Sequence, residues 1–284
     1  MKVLVIGGNG FIGKHLCAEL RKQEHSVLSY DLDFDWEHTD IYGSALDTSG
    51  LKYAIVRKEV DAVVLLAGAS NIDEIEEDPI NQIELGLMSV VKVADTCSRA
   101  KVKLIYASSY FVTESYTGHF YTTIKRSAEK LIKDFHDMFH LDYVILRYGT
   151  VYGEGCRGVM KVLSERVKRN MKIYIEGKGE SIRHFVHVQD IAEATILAIQ
   201  NTSRETLTIT HKDMGISICD LVMKFVLLSG SDPEITFLPI DSGSRKFDFQ
   251  GGNLQTMLSA EKTQLLLNWK PKITLDEGIK EMLQ

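Results

Sequence analysis

The stretch Met1-Lys2-Val3-Leu4-Val5-Ile6-Gly7-Gly8-Asn9-Gly10-Phe11-Ile12-Gly13 decides how the chain is read. Val3 to Ile6 is a short apolar strand, glycines follow at once, and helical periodicity runs from Gly13 to Gln23. Gly7 permits a tight turn, Gly10 lets the backbone approach a diphosphate without a Cβ in the way, and Gly13 lets the helix pack close on the strand. An anion would sit on the helix N-terminus, where the free N–H groups of Phe11, Ile12 and Gly13 and the helix dipole favour negative charge. Glycine spacing alone is weak evidence. The strand-turn-helix setting, with Asp31 closing the next strand 18 positions after Gly13, makes it a dinucleotide site. Asp31 also selects the cofactor, because its carboxylate can accept hydrogen bonds from a ribose but repels a 2'-phosphate. The sign favours NAD.

Outward from this turn, apolar runs at Ser26 to Tyr30, Ala62 to Leu66, Lys103 to Ala107 and Tyr143 to Leu146 alternate with helical segments at Asn81 to Ala100 and Tyr121 to Phe139. Strands apolar on both faces belong to a parallel sheet covered by helices on both sides. The expected fold is α/β, a doubly wound parallel Rossmann sheet with a smaller carboxyl-terminal substrate lobe. Val188 to Gln200 reads as a further helix and Thr206 to Thr210 as a further strand. The dinucleotide-binding domain is therefore assigned to 1–152 plus 184–212, and the substrate-binding lobe to 153–183 plus 213–284.

Composition excludes several classes. The 284 residues are 44% hydrophobic and 25% charged with only 4 Pro, which is globular rather than disordered. No apolar run reaches the roughly 18 residues of a membrane span, and the N-terminus reads as a strand rather than a signal, so no membrane association and a cytoplasmic location are expected. Lys and Arg total 33 against 39 Asp and Glu, and the net charge of -6 offers no field for nucleic acid. Cys17, Cys97, Cys156 and Cys219 form no CxxC pair and read as reduced and structural. His136 and His140 have helical i, i+4 spacing but no third ligand, so no metal is expected.

Tyr121-Thr122-Thr123-Ile124-Lys125 opens a helix, with Ser108 and Ser109 ending the strand before it. Residues four apart share a helix face, so the Lys125 ammonium can lie near the Tyr121 hydroxyl. Together with an oxidised nicotinamide it would favour the tyrosinate; bringing a phenol from about 10 towards 7 takes roughly 4 kcal/mol. Tyr121 becomes a general acid or base near neutral pH.

With these residues in view, the chain resembles the extended short-chain dehydrogenase/reductase family, in particular its NAD-dependent nucleotide-sugar epimerases and dehydratases. GGNGFIG is similar to the family's glycine motif, Leu66-Ala67-Gly68 to its Leu-Ala-Ala turn beside the cofactor, and Tyr121 with Lys125 to its catalytic pair. Asp40-Ile41 resembles the step that contacts adenine, and Tyr148 lies where the family places a residue near the nicotinamide. Ala107-Ser108-Ser109-Tyr110-Phe111-Val112 resembles the Ser-Ser-x-x-Val segment and maps the substrate-binding hydroxyl onto Ser109. Leu146-Arg147-Tyr148-Gly149-Thr150-Val151-Tyr152-Gly153 and Gly177 to Asp190 are similar to two further signatures. The tail through Trp269-Lys270-Pro271 is similar to the family's closing motif.

The resemblance implies a hydride cycle on a nucleotide-diphosphate sugar, with Tyr121 moving a hydroxyl proton, Ser109 holding the same oxygen, and NAD as hydride carrier. Thr150, Arg183 and Arg245 map onto substrate-binding positions, guanidinium forks suiting phosphate oxygens. A homodimer is implied through the helix from Ile83 to Ala100 and the Tyr-Lys helix. Ser109 and Tyr121 are only 12 positions apart, about half the family's spacing, and Thr150 and Gly86 replace asparagines. Tyr110 and Phe111 stand where dehydratases of the family carry Asp and Glu. C4 epimerase therefore ranks first, NAD(P)H-dependent reduction of a 4-keto nucleotide sugar second and 4,6-dehydratase third. Outside this group stand a non-catalytic NAD-binding protein and a reductase of small carbonyl compounds.

Overall fold

A computed structural model describes residues 1–113, 120–212, 215–239 and 254–284. The strands are β1 (Lys2–Ile6), β2 (Ser26–Asp31), β3 (Ile41–Tyr42), β4 (Ala62–Leu65), β5 (Lys103–Ser109), β6 (Tyr143–Tyr148), β7 (Thr150–Tyr152), β8 (Ile173–Glu176), β9 (Ile182–Arg183), β10 (Phe185–His187), β11 (Glu205–Ile209), β12 (Ile216–Ser217) and β13 (Ile235–Leu238). The helices are α1 (Phe11–Lys22), α2 (Thr48–Lys52), α3 (Ile72–Glu77), α4 (Pro79–Ala100), α5 (Phe120–Phe139), α6 (Val159–Lys168), α7 (Val188–Asn201), α8 (Ile218–Ser229), α9 (Leu254–Leu267) and α10 (Leu275–Leu283).

The chain divides into two compact units, Met1–Tyr148 with Ile191–Thr208, and Gly149–Asp190 with Ile209–Gln284. Residues 149–152, 184–190 and 209–212, grouped with the dinucleotide lobe on sequence grounds, fall in the second unit.

The first unit is built on a seven-stranded sheet in the order β11-β6-β5-β4-β1-β2-β3, parallel at every pairing from β3 to β6. The chain works outward from β1 one way through β2 and β3 and the other way through β4, β5 and β6. It is a doubly wound Rossmann sheet. Its switch point lies between β1 and β4, where such folds take their ligands. Alternation explains the burial. Leu4, Ile6, Val63, Leu65, Leu104 and Tyr106 point into one core with Val90, Val93 and Ala94 of α4 and Ala128 and Ile132 of α5. Val3, Val5, Val64, Ile105 and Val144, pointing the other way, are as fully buried. Gly13, Leu16, Cys17 and Leu20 give α1 its buried stripe at helical spacing. The Lys103 ammonium donates to Ile199 O and Thr202 O at 2.9 and 2.8 Å, satisfying carbonyls at the carboxyl end of α7.

The second unit pairs β7 with β10 and β8 with β13 in parallel, and β9 with β12 antiparallel. Asp190 anchors its carboxyl-terminal segment, accepting the N–H groups of Lys272 and Ile273 at 2.9 and 3.1 Å. Thr274 and Glu277 then form a capping box that starts α10.

Candidate functional site

The turn between β1 and α1 has no room for side chains. Gly7 adopts φ +89°, and a Cβ there would stand 2.7 Å from Ala67 N; a Cβ on Gly13 would overlap Gly7 O. Helix α1 opens on Gly10 with no side-chain cap and no acidic residue in its first turn, leaving its first N–H groups for a ligand. Beyond the turn, Asp31 Oδ2 accepts the Asn9 N–H at 2.9 Å and Oδ1 the Asp33 N–H at 3.0 Å. Asn9 Nδ2 donates to Asp33 Oδ2 at 3.0 Å, and Asn9 Oδ1 is buried without a donor. On the β4 side, the N–H groups of Leu66 and Ala67 both donate to Ile6 O, and open space lies where a Gly68 side chain would be. The result is a strip of bare backbone with a carboxylate at one end and an unpartnered amide oxygen beside it. A dinucleotide fits it, the diphosphate on the helix N-terminus and the ribose hydroxyls on Asp31.

Two residues expected at the adenine also make contacts within the protein. The Asp40 carboxylate accepts the Ser29 N–H at 2.8 Å and faces Arg21, near the far end of α1, at 3.3 Å. Ile41 pairs with Tyr30 and packs on the core. Asp40 precedes the two-residue β3 and pins that edge to β2. The Tyr148 hydroxyl, expected near the nicotinamide, is buried and pairs with Thr195 Oγ1 at 2.8 Å.

The reacting hydroxyls are brought together by β5 and α5. Ser109, the last residue of β5, is buried and hydrogen-bonds the Tyr121 hydroxyl across from the first turn of α5. Burial pushes the Tyr121 phenol up, and the bond to Ser109 pulls it partly back. Lys125 is also buried. Its Nζ donates to Ala107 O at 2.9 Å and lies 5.0 Å over the Tyr106 ring, and desolvation lowers its pKa to about 8 while Glu129 opposes the fall. The lysine is therefore lodged on β5. Phe111 donates its N–H to Ser109 Oγ at 3.3 Å and sets its ring edge-on to Tyr121, 6.5 Å between centroids. It stacks on Tyr110 at 4.3 Å. An aromatic wall thus stands beside the hydroxyl pair.

The second unit places Thr150 and Arg183 on neighbouring segments: Thr150 N–H donates to His184 O at 2.7 Å, and β7 pairs with β10 at Thr150 and Phe185. The Arg183 guanidinium also bonds Ser181 Oγ and, at 2.9 Å, Ile182 O. Arg245 lies outside the described residues. Among the described residues no group of three His, Cys, Asp or Glu is placed to hold a metal, and no helix is long and apolar enough to cross a membrane.

Residues 3–209, most of the chain, match the profile of the NAD dependent epimerase/dehydratase family. The chain belongs to this family. A UDP-glucuronate 4-epimerase of Thermodesulfobacterium geofontis is 25% identical to this family member over 98% of the chain and 93% of its own length. The UDP-glucose 4-epimerase of Thermotoga maritima, solved with UDP-glucose, superposes with a TM-score of 0.87 at 24% identity, covering 100% of this chain and 97% of its own. The UDP-glucuronic acid 4-epimerase of Bacillus cereus, solved with UDP-glucuronic acid and NAD, gives 0.83 at 26% identity over 100% and 98%. As an epimerase/dehydratase the protein uses NAD, and the bare turn with Asp31 is the part of the chain suited to it.

No motif marks Glu129 or its bonds to Ser108 and Arg147. The Lys125-x-x-x-Glu129 spacing looks like a solvated i, i+4 pair. Only the packing of α5 on β5 and β6 shows the carboxylate buried, accepting from Ser108 and from both ends of the Arg147 fork.

Proposed function

We propose that the protein is a nucleotide-sugar 4-epimerase, acting on a nucleotide-diphosphate sugar with the hydroxyl pair Ser109 and Tyr121. The observation that carries the reading is this pair itself, Ser109 buried at the end of β5 and Tyr121 partly buried at the start of α5, with the Phe111 ring edge-on to Tyr121. The names of the UDP-sugar 4-epimerases that the chain resembles support the same substrate class.

Gly7, Gly10 and Gly13 with the N–H groups of Phe11 and Ile12 would hold the NAD diphosphate, Asp31 the adenosine ribose, and Leu66 to Gly68 one wall. NAD supplies a hydride acceptor and donor. The Ser109 hydroxyl donates to the sugar oxygen and fixes its place against Tyr121. The Tyr121 oxygen takes the proton as that hydroxyl becomes a carbonyl, and gives it back when the carbonyl is reduced. Burial raises the Tyr121 pKa, and the positive charge that an oxidised nicotinamide would bring favours the tyrosinate. Lys125 holds a further positive charge one helical turn along and keeps α5 on β5. Thr150, Arg183 and Arg245 are assigned to the sugar diphosphate on the family resemblance.

The aromatic pair Tyr110 and Phe111 supports epimerisation over dehydration, since these positions carry no carboxyl group for the acid–base loss of water. The wider reading is a cytoplasmic homodimer in carbohydrate biosynthesis. Exposed Ile80 and Met88 on α4, and Phe120, Met138 and Phe139 on α5, support the pairing of those helices.

The test is direct. Protein purified without added cofactor is denatured and its released nucleotides are identified by mass spectrometry, and the native protein is incubated with UDP-glucose, UDP-glucuronate and UDP-N-acetylglucosamine under proton NMR. Retained NAD and the appearance of a C4 epimer are expected. Consumption of one NADH per 4-keto sugar reduced, with no epimer formed, would overturn the reading in favour of a reductase.

A further inference from the structure

Glu129 is a charge in an unlikely place. It lies on α5 with 4% of its surface exposed, one turn beyond Lys125 and two beyond Tyr121. Its Oε1 accepts the Ser108 hydroxyl at 2.6 Å and the Arg147 Nε–H at 2.9 Å, and its Oε2 accepts the Arg147 Nη2–H at 2.6 Å. This is a two-pronged guanidinium–carboxylate pair with a third donor added, the geometry in which such bonds are short and directional. It joins three elements at one level. Ser108 of β5 and Arg147 of β6 face each other in the sheet register, with Ser109 opposite Tyr148 one step on.

A buried ion pair is poor evidence of stabilisation, since well-packed apolar groups of like volume often do as well. Its position suggests another use. Along one stripe of α5, Glu129 grips Ser108, Lys125 grips Ala107 O, and Tyr121 meets Ser109. These are consecutive residues of β5. The separation of the reacting hydroxyls is set by how α5 is seated along that strand end, and Glu129 supplies the anchor on the far side of Lys125.

We propose that Glu129 is a positioning residue of the epimerase: paired with Arg147 and bonded to Ser108, it seats α5 on β5 so that Tyr121 and Ser109 meet, and it holds a negative charge behind Lys125. The inference rests on the proposed epimerase reading for its catalytic consequence, but not for its geometry. The groups facing the Lys125 ammonium are Glu129 on its own helix and Tyr106 from β5, with Arg147 of β6 bound to Glu129 behind them.

Two variants test it in the NAD-loaded protein. Glu129→Gln keeps the shape and an acceptor for Ser108 but removes the charge; Glu129→Met with Arg147→Met removes the pair without stranding a buried guanidinium. With Glu129→Gln, kcat should fall at least tenfold with KM within about twofold, and Glu129→Asp should recover part of the loss. The titration of Lys125, followed by NMR with labelled lysine and assigned by Lys125→Met, should move to lower pH in Glu129→Gln. The double Met variant should return to wild-type thermal stability and remain slow. Overturning results are a Lys125 titration unmoved by Glu129→Gln in folded protein, or wild-type kcat in the stable double variant. If wild-type protein turns over no nucleotide sugar, the epimerase reading fails, while the Lys125 titration still reports whether Glu129 acts on it.

Discussion

Ile124 of α5 fills the space that a side chain at position 86 of α4 would need. Its Cγ2 overlaps the position of a Cβ on Gly86, and the Ala69 Cβ stands 3.3 Å from the same point. Ile124 sits between Tyr121 and Lys125 in the chain and packs with Ala69 and Ile75 in a small cluster that Tyr121 borders. Glycine inside a helix ordinarily weakens it by about 1 kcal/mol relative to alanine. Here the packing reverses the expected sign. Gly86→Ala should destabilise the protein by about 1–3 kcal/mol, as overpacked cores do. Ile124→Ala in the same chain should recover much of that loss. Urea unfolding of the single and double variants gives the coupling directly, and a more stable Gly86→Ala would show that α4 and α5 can part without penalty.

The same pair shows where the sequence can and cannot be read. Strands such as Val3 to Ile6 and Tyr143 to Leu146 are legible because a strand buried on both faces must be apolar throughout. The short β3 is not, since Tyr42 is 63% exposed and only two residues pair. The family resemblance puts Asp40 and Ile41 at the adenine, and nothing in a linear pattern discloses that the Asp40 carboxylate also accepts the Ser29 N–H and faces Arg21. Ser109, Tyr121 and Lys125 stand out through their motif. The pairing of Glu129 with Arg147 does not, because a charged residue at helical spacing on α5 reads as solvated until β6 is laid beside it.

Asp31 has two tasks that one substitution can separate. Its carboxylate braces the glycine turn through the Asn9 N–H, and its charge opposes a phosphate on the ribose. At about 4 Å and an effective dielectric of about 20, one like charge amounts to roughly 4 kcal/mol before relaxation and screening. Asp31→Asn keeps an acceptor for Asn9 and removes the charge. The preference for NAD over NADP should narrow at least tenfold, measured by titrating both cofactors calorimetrically into cofactor-stripped protein. Asp33, held beside it by Asn9 Nδ2, should keep the preference from reversing fully. An unchanged ratio would show that the selecting group is another residue.

Burial of Lys125 makes stability depend on pH in a window that can be stated. The folded lysine gives up its proton near pH 8, whereas an unfolded lysine keeps it to about 10.4. Between these values the unfolded chain holds more protons, so this residue's contribution to stability rises with pH across the window. Below pH 8 both states are charged and the desolvation penalty stands in full. Lys125→Met should therefore flatten the pH dependence between about 8 and 10.4. Urea midpoints of both proteins at several pH values across that range would show it, and parallel curves would mean that the ammonium is better solvated than its seat on Ala107 O implies.

Asp190 presents the opposite case, a buried charge whose removal should do harm. Burial raises its pKa, while the N–H groups of Lys272 and Ile273, and more distantly the charges of His187 and His211, pull it back. Because the net shift is upward, the folded state binds more protons than the unfolded one just above the ordinary aspartate range. Its contribution falls as pH rises through that window, and the desolvation penalty persists at neutral pH. Asp190→Asn abolishes that penalty. It also replaces two acceptor oxygens with one, turning an amide nitrogen towards one of the two N–H donors. An unsatisfied buried donor costs about 1–3 kcal/mol, and the affected segment leads directly into the capping box of Thr274 and Glu277. The variant should be less stable at pH 7, with amide exchange rising first at Lys272 and Ile273. Equal stability with unchanged exchange would mean that the segment is held by its apolar contacts alone.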